Sequence, residues 1–113
     1  MSADNKTLKD RINYLIDLSN RALATKETDA GTIPRHRVNS ELFYEFRSSG
    51  LSFILKLVGE KHPFYKEFDQ NVLRATPYDV ERGRGILKSV KSEIDSGFIE
   101  WKIEKKQEKK LIW

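Results

Sequence analysis

The feature that most constrains this chain is a rhythm: in successive stretches, bulky apolar residues recur every three or four positions, the period of a helix with one buried side. In the first stretch the residues are Leu8, Ile12, Leu15, Ile16, Leu18, Ala22 and Leu23, which predicts a helix over roughly 5 to 26. Asp4, Asn5 or Thr7 serve as candidate caps, and Thr7 with Asp10 has the shape of a capping box. Leu8, Ile12, Leu15, Ser19 and Ala22 run close to a heptad, a pattern that packs against an antiparallel neighbour or a second chain.

A second helix is capped by Asn39 or Ser40 and carries Leu42, Phe43, Phe46, Leu51, Phe53, Ile54, Leu57 and Val58 as its core residues. Ser48, Ser49 and Gly50 lower helix propensity in its middle, which reads as close helix packing, not a break. Gly59 is expected to end it in a left-handed conformation. His62-Pro63 marks a third start, with Phe64, Tyr65, Phe68, Val72 and Leu73 as the apolar face and Ala75-Thr76-Pro77 as the stop. Asp79 opens a fourth helix with Val80, Gly83, Ile86, Leu87, Val90 and Ile94 buried and Gly97 as terminator. Gly83 and Gly85 each cost such a helix about 1 kcal/mol relative to alanine, so a close approach of another helix is expected there.

Between the first two helices, Glu27 to Arg37 loses the rhythm and contains Gly31 and Pro34, which predicts a loop. Beyond Gly97, Phe98, Ile99, Trp101 and Ile103 give way to an ionic run that ends on Leu111, Ile112 and Trp113. A fifth, projecting helix is expected, because positions 104 to 110 hold no apolar residue to bury. The fold class is therefore all-α, a small four- to five-helix bundle with a projecting charged C-terminal helix. Its organisation is a single domain, with a core bundle over about 1–100 and a charged helix or linker over about 101–113.

Composition narrows the chemistry. With no cysteine, the chain holds neither disulfide nor thiolate metal site, which suits a reducing cytoplasm. The amino terminus lacks the basic start and apolar run of a signal peptide, and no stretch approaches the roughly 20 apolar residues of a membrane span. A net charge of +4 arises from 21 basic and 17 acidic residues that interleave almost throughout, so a solvated mixed surface is the simplest reading. Arg82-Gly83-Arg84-Gly85 lacks the third glycine, the preceding strand and the opening helix of a dinucleotide cradle. His36 and His62 have no carboxylate at a metal or nucleophile spacing. No catalytic, metal or cofactor residues are assigned.

Two binding readings remain. In the first, the chain is a non-enzymatic protein-interaction or dimerisation module with Leu8, Ile12, Leu15, Trp101, Leu111, Ile112 and Trp113 as contacts. Its partner is a second copy or a following effector domain, since large apolar residues at Leu111 to Trp113 suit an interface or a continuation. The alternative is a nucleic-acid-binding domain that sets Arg35, Arg37, Arg82, Arg84 and Lys88 on phosphates. It lacks any helix-turn-helix or zinc-finger signature.

An aromatic-rich helix with Phe43, Phe46, Ser48, Ser49 and Leu51 ends at Gly59, and a Tyr65-Lys66-Glu67-Phe68 run follows. A Gly85-Ile86-Leu87 helix then closes on Gly97-Phe98-Ile99. At these positions residues 41 to 99 resemble a helical amino-terminal accessory module of uncharacterised bacterial multidomain proteins, some from antiviral or toxin-like systems. Gly50 between Ser49 and Leu51, and the basic run after Trp101, depart from it. The resemblance implies an adaptor or oligomerising part in a cytoplasmic bacterial system.

Overall fold

The computed structural model describes residues 5–29, 31, 33 and 35–99. Most of these form four helices: α1 (Asn5–Leu23), α2 (Ser40–Val58), α3 (Pro63–Asn71) and α4 (Pro77–Asp95). The expected fifth helix and the residues 101 to 113 lie outside the described residues. One core joins the four, because the predicted stripes turn inward together. Ile12, Leu15, Leu18, Phe43, Phe46, Ile54, Phe68, Val72, Val80, Leu87 and Val90 are all essentially without solvent contact. Each such aliphatic or aromatic side chain contributes roughly 1.5–3 kcal/mol of burial. Ser19, also fully buried on the α1 stripe, donates its hydroxyl to the Ile16 carbonyl at 2.5 Å and so leaves no polar group unsatisfied.

Expected helix boundaries shift where capping decides. Asn39, not Ser40, caps α2, its side chain accepting the Leu42 N–H at 2.9 Å. His62 caps α3 through Nδ1, which accepts the Phe64 N–H at 3.1 Å while the imidazole stacks on the Phe64 ring. Proline 77 was expected to close the third helix, but it is the first residue of α4. Thr76 is the N-cap, accepting from the Asp79 N–H, and the proline supplies the φ a first turn needs. Asp79 then reaches back, its Oδ2 accepting from Leu73 N–H and Arg74 N–H and so fixing the α3–α4 turn. Gly97 ends α4 as expected: its φ is 76°, its N–H bonds the Ile94 carbonyl and the Phe98 N–H bonds that of Glu93. Gly59 departs from expectation, since its φ of 91° comes with ψ of 163°, an extended left-hand region that only glycine enters readily.

The segment read as a loop is corrected to a hairpin. β1 (Glu27–Asp29) pairs antiparallel with β2 (Arg35–Arg37), Glu27 opposite Arg37 and Thr28 opposite His36. Its stability is polar: Glu27 and Arg37 approach to 3.8 Å, and Thr28 Oγ1 shares a 2.8 Å hydrogen bond with His36 Nδ1. Two short strands alone are marginal. Here they are tethered, because Val38 N–H bonds the Ala75 carbonyl at 3.0 Å and Asn39 N–H bonds Thr25 Oγ1 at 2.8 Å.

Helix order follows from which pairs touch. α1 runs antiparallel to α4, with Arg84 on Asn20, Lys91 on Asn13 and Lys9 on Asp95. These contacts step by seven and then four residues along both helices in opposite directions. On its other side α1 meets α2, where the Tyr14 hydroxyl donates to Glu45 Oε2 at 2.7 Å. α3 packs across α2 and α4. Close packing explains two glycines: a Cβ on Gly50 would lie 2.6 Å from Phe68 Cζ of α3, and one on Gly83 would lie 2.8 Å from Phe46 Cε2 of α2. Gly85 has no such neighbour within 4 Å, so helix packing does not account for it. Arg47 bolts α2 to the end of α3, Nε donating to the Val72 carbonyl at 2.7 Å and Nη2 to the Asp69 carbonyl and carboxylate. This places a cation where α3 leaves its last carbonyls unpaired.

Candidate functional site

The fold sorts the sequence-predicted contacts into three places. Leu8, Ile12 and Leu15 are buried in the chain's own core, on the side of α1 that meets α2 and α4. Their near-heptad spacing is thus answered within the chain, and none is presented to a second molecule. Trp101, Leu111, Ile112 and Trp113 lie outside the described residues.

The five basic candidates do not form one surface. Arg84 is drawn to α1 by the 2.7 Å bond to Asn20, and Lys88 lies exposed one turn on. Arg35 and Arg37 are exposed on β2, with Arg37 beside Glu27. Arg82 sits on the opposite flank of α4, its guanidinium 5.1 Å from the Tyr78 ring centre. Because Arg82-Gly83-Arg84-Gly85 falls within α4, beyond its first turn, it forms no phosphate-binding loop. Each histidine has a local structural partner, His36 on Thr28 and His62 at the cap of α3.

What the fold does assemble at this end is a small platform. Lys26, His36, Thr76, Pro77, Tyr78 and Glu81 surround an open cavity of about 380 Å³ where the hairpin meets the start of α4. Tyr78 is 64% exposed there, with Arg82 over its ring. Lys26, His36 and Tyr78 are not neighbours in sequence, and only the hairpin brings them together. Among the described residues no group of three His, Cys, Asp or Glu side chains is placed to hold a metal ion.

A further surface was missed by sequence reasoning. On α2, Phe43, Phe46, Gly50, Phe53, Ile54, Leu57 and Val58 face the core. Away from that face lie Tyr44, 63% exposed, Ser48, the exposed Ser52, and Leu55, 38% exposed, with the half-buried Leu51 at the margin, packed against the core. None of these is charged, in a chain of which 34% is charged. Glu45 is turned towards Tyr14, and Arg47 towards α3. The available signal was an excess: α2 holds more apolar residues than one buried face accommodates.

Tyr14 carries the one clear electrostatic perturbation among the described groups. Its hydrogen bond to Glu45 stabilises the protonated phenol, and partial desolvation and the carboxylate's charge add to it, so the pKa is raised above the ordinary 10.0.

No family model, curated protein or solved structure matches the chain. No helix among the described residues is long and apolar enough to cross a membrane.

Proposed function

We propose that this protein is a non-enzymatic, cytoplasmic protein-interaction module of the adaptor kind, and that its partner includes a second copy of itself. The observation that carries this reading is the uncharged outer face of α2 from Tyr44 to Leu55. A helix face that meets only water gains from charged residues. Exposed apolar and small residues at helical spacing suit a second helix, because removing them from water stabilises the pair by about 25 cal/mol for each Å² of apolar surface covered. The sequence resemblance to accessory modules of bacterial multidomain proteins points the same way. Light scattering across micromolar to submillimolar protein tests the reading. A mass that rises towards that of a dimer is expected, and a strict monomer throughout would remove self-association.

A second reading, nucleic-acid binding, is favoured by one arrangement: Lys26 and His36 share a cavity with the exposed Tyr78, and Arg82 stands beside it. Cations for phosphates around an aromatic for bases are what a single strand engages. A labelled oligonucleotide should bind at low salt, weaken steeply at moderate salt, and lose affinity on Tyr78→Ala but not on Tyr78→Phe. Absence of binding at low salt excludes it.

A further inference from the structure

Along the outer face of α2, Tyr44, Ser48, Leu51 and Leu55 are spaced four, three and four residues apart, the step of a coiled-coil seam. At 1.5 Å per residue this seam is roughly 16 Å long, about three turns. We infer that it is an isologous dimer interface, on which α2 of a second copy packs antiparallel, with Tyr44 against the partner's Leu55 and Ser48 against the partner's Leu51.

The orientation follows from side-chain size. Reversing the helix about a point between Ser49 and Gly50 exchanges position 44 with 55 and 48 with 51. Every layer then sets a small or medium side chain against a larger one, as close packing requires. A parallel pair would stack Tyr44 on its twin and leave Ser48 facing Ser48, with a crowded layer beside a hollow one.

Charge selects the same direction. α2 has Glu41 in its first turn and Lys56 in its last, with Glu45 and Lys56 both on the edge nearest α1. Antiparallel packing keeps the two α1-side edges on one side of the interface and brings Glu45 near the partner's Lys56, whereas a parallel pair puts those edges on opposite sides and makes no such contact. The helix dipoles also oppose one another in the antiparallel pair. Between these ends the seam itself carries no charge to bury unpaired. Four side chains from each copy cover far less than the roughly 800 Å² per partner of a standard stable complex, so the dissociation constant is expected to be on the order of micromolar or weaker.

The inference rests on the self-association reading above, and the two fail separately. Sedimentation of the full chain is compared for wild type, Leu55→Glu, Tyr44→Lys and the double variant Tyr44→Lys/Leu55→Glu, with circular dichroism reporting the helical fold of each. In a twofold dimer each substitution acts twice, so either single variant should weaken association by about tenfold or more. The double variant should lose less than the two single losses added together, because antiparallel packing places each new lysine opposite a new glutamate. A wild-type dimer indifferent to Leu55→Glu would overturn this interface and leave self-association standing elsewhere. A double variant whose loss equals or exceeds the sum of the single losses would overturn the antiparallel register, and a wild-type monomer would overturn both readings. As a check free of charge changes, the chain has no cysteine of its own, so Ser48→Cys and Leu51→Cys proteins supply unique thiols. Mixed together they should cross-link to each other faster than either does to itself, and preferential Ser48→Cys self-linkage would refute the register.

Discussion

Gly83 and Gly85 lie on the same helix, two residues apart, and alanine at the two positions should have opposite effects. In either place alanine raises helix propensity by about 1 kcal/mol. At Gly85 nothing stands within 4 Å of the new Cβ and the position is exposed, so most of that gain should appear as stability. At Gly83 the Cβ meets Phe46 Cε2 at 2.8 Å, Phe46 Cζ at 2.9 Å and Val72 Cγ2 at 3.0 Å. Phe46 and Val72 are both fully buried, so neither ring nor methyl group has free space to enter. Overpacking of this kind costs roughly 1–3 kcal/mol, which outweighs the propensity gain and leaves Gly83→Ala about 1 kcal/mol less stable than wild type. The two variants should therefore differ by about 2 kcal/mol, or on the order of 10 °C in Tm for a domain of this size. Thermal denaturation followed by circular dichroism, at a concentration low enough to suppress association, measures the difference directly. If Gly83→Ala were as stable as Gly85→Ala, the close approach of α4 to Phe46 would be wrong, and with it the packing of α2 against α4.

Replacing Arg47 with Met keeps much of the buried stem but strips the Val72 and Asp69 carbonyls of their donors, and should cost about 2 kcal/mol in urea denaturation. Arg47→Lys should restore only part of it, since one ammonium cannot span both acceptors. His62→Ala removes the acceptor for the Phe64 N–H and should cost about 1 kcal/mol, whereas His62→Asn should stay near wild type, as chemical denaturation would show. The raised pKa of Tyr14 lies above its unfolded value, so the hydrogen bond to Glu45 contributes fully at neutral pH. That contribution is lost only as pH rises through the folded value, above the ordinary 10.0. Ultraviolet titration of wild type against Tyr14→Phe should remove a late-titrating phenol, and the pH dependence of stability in alkali should flatten.

The parts of the fold legible in the sequence are those set by the helical period and by local caps. Ile12, Phe46, Val80 and Leu87 fall in the core because the three-and-four step leaves them no other side to occupy. Of the two α4 glycines read as close approaches, Gly83 is one, with Phe46 against it, and Gly85 is not. The hairpin was not, because its three-residue strands carry no apolar alternation. What holds it is a set of polar cross-strand pairs together with the bond from Val38 to Ala75, far away in sequence. Pro77 misled for a different reason: proline disfavours helix in the residue before it and favours helix in the residues after it, and here the second effect names the element. Leu8, Ile12 and Leu15 have the same spacing whether they meet a second chain or a neighbouring helix, and only the fold distinguishes the two.

That ambiguity also explains why the outer face of α2 went unnoticed, and why it carries the functional argument. Leu51 packs against the core as its spacing predicts, and its half-exposed edge borders the outer face. Once the helices are placed, the cations near them have assigned tasks: Arg84 and Lys91 hold α1 to α4, and Arg47 holds α2 to α3. These cations lie along the seams between helices. The face of α2 from Tyr44 to Leu55 is a solvent-exposed helical surface without charge. Tyr44 and Leu55 are both more than a third exposed, so Leu55→Glu should cost the monomer little. An association that the same substitution abolishes would supply the physical reason for those residues.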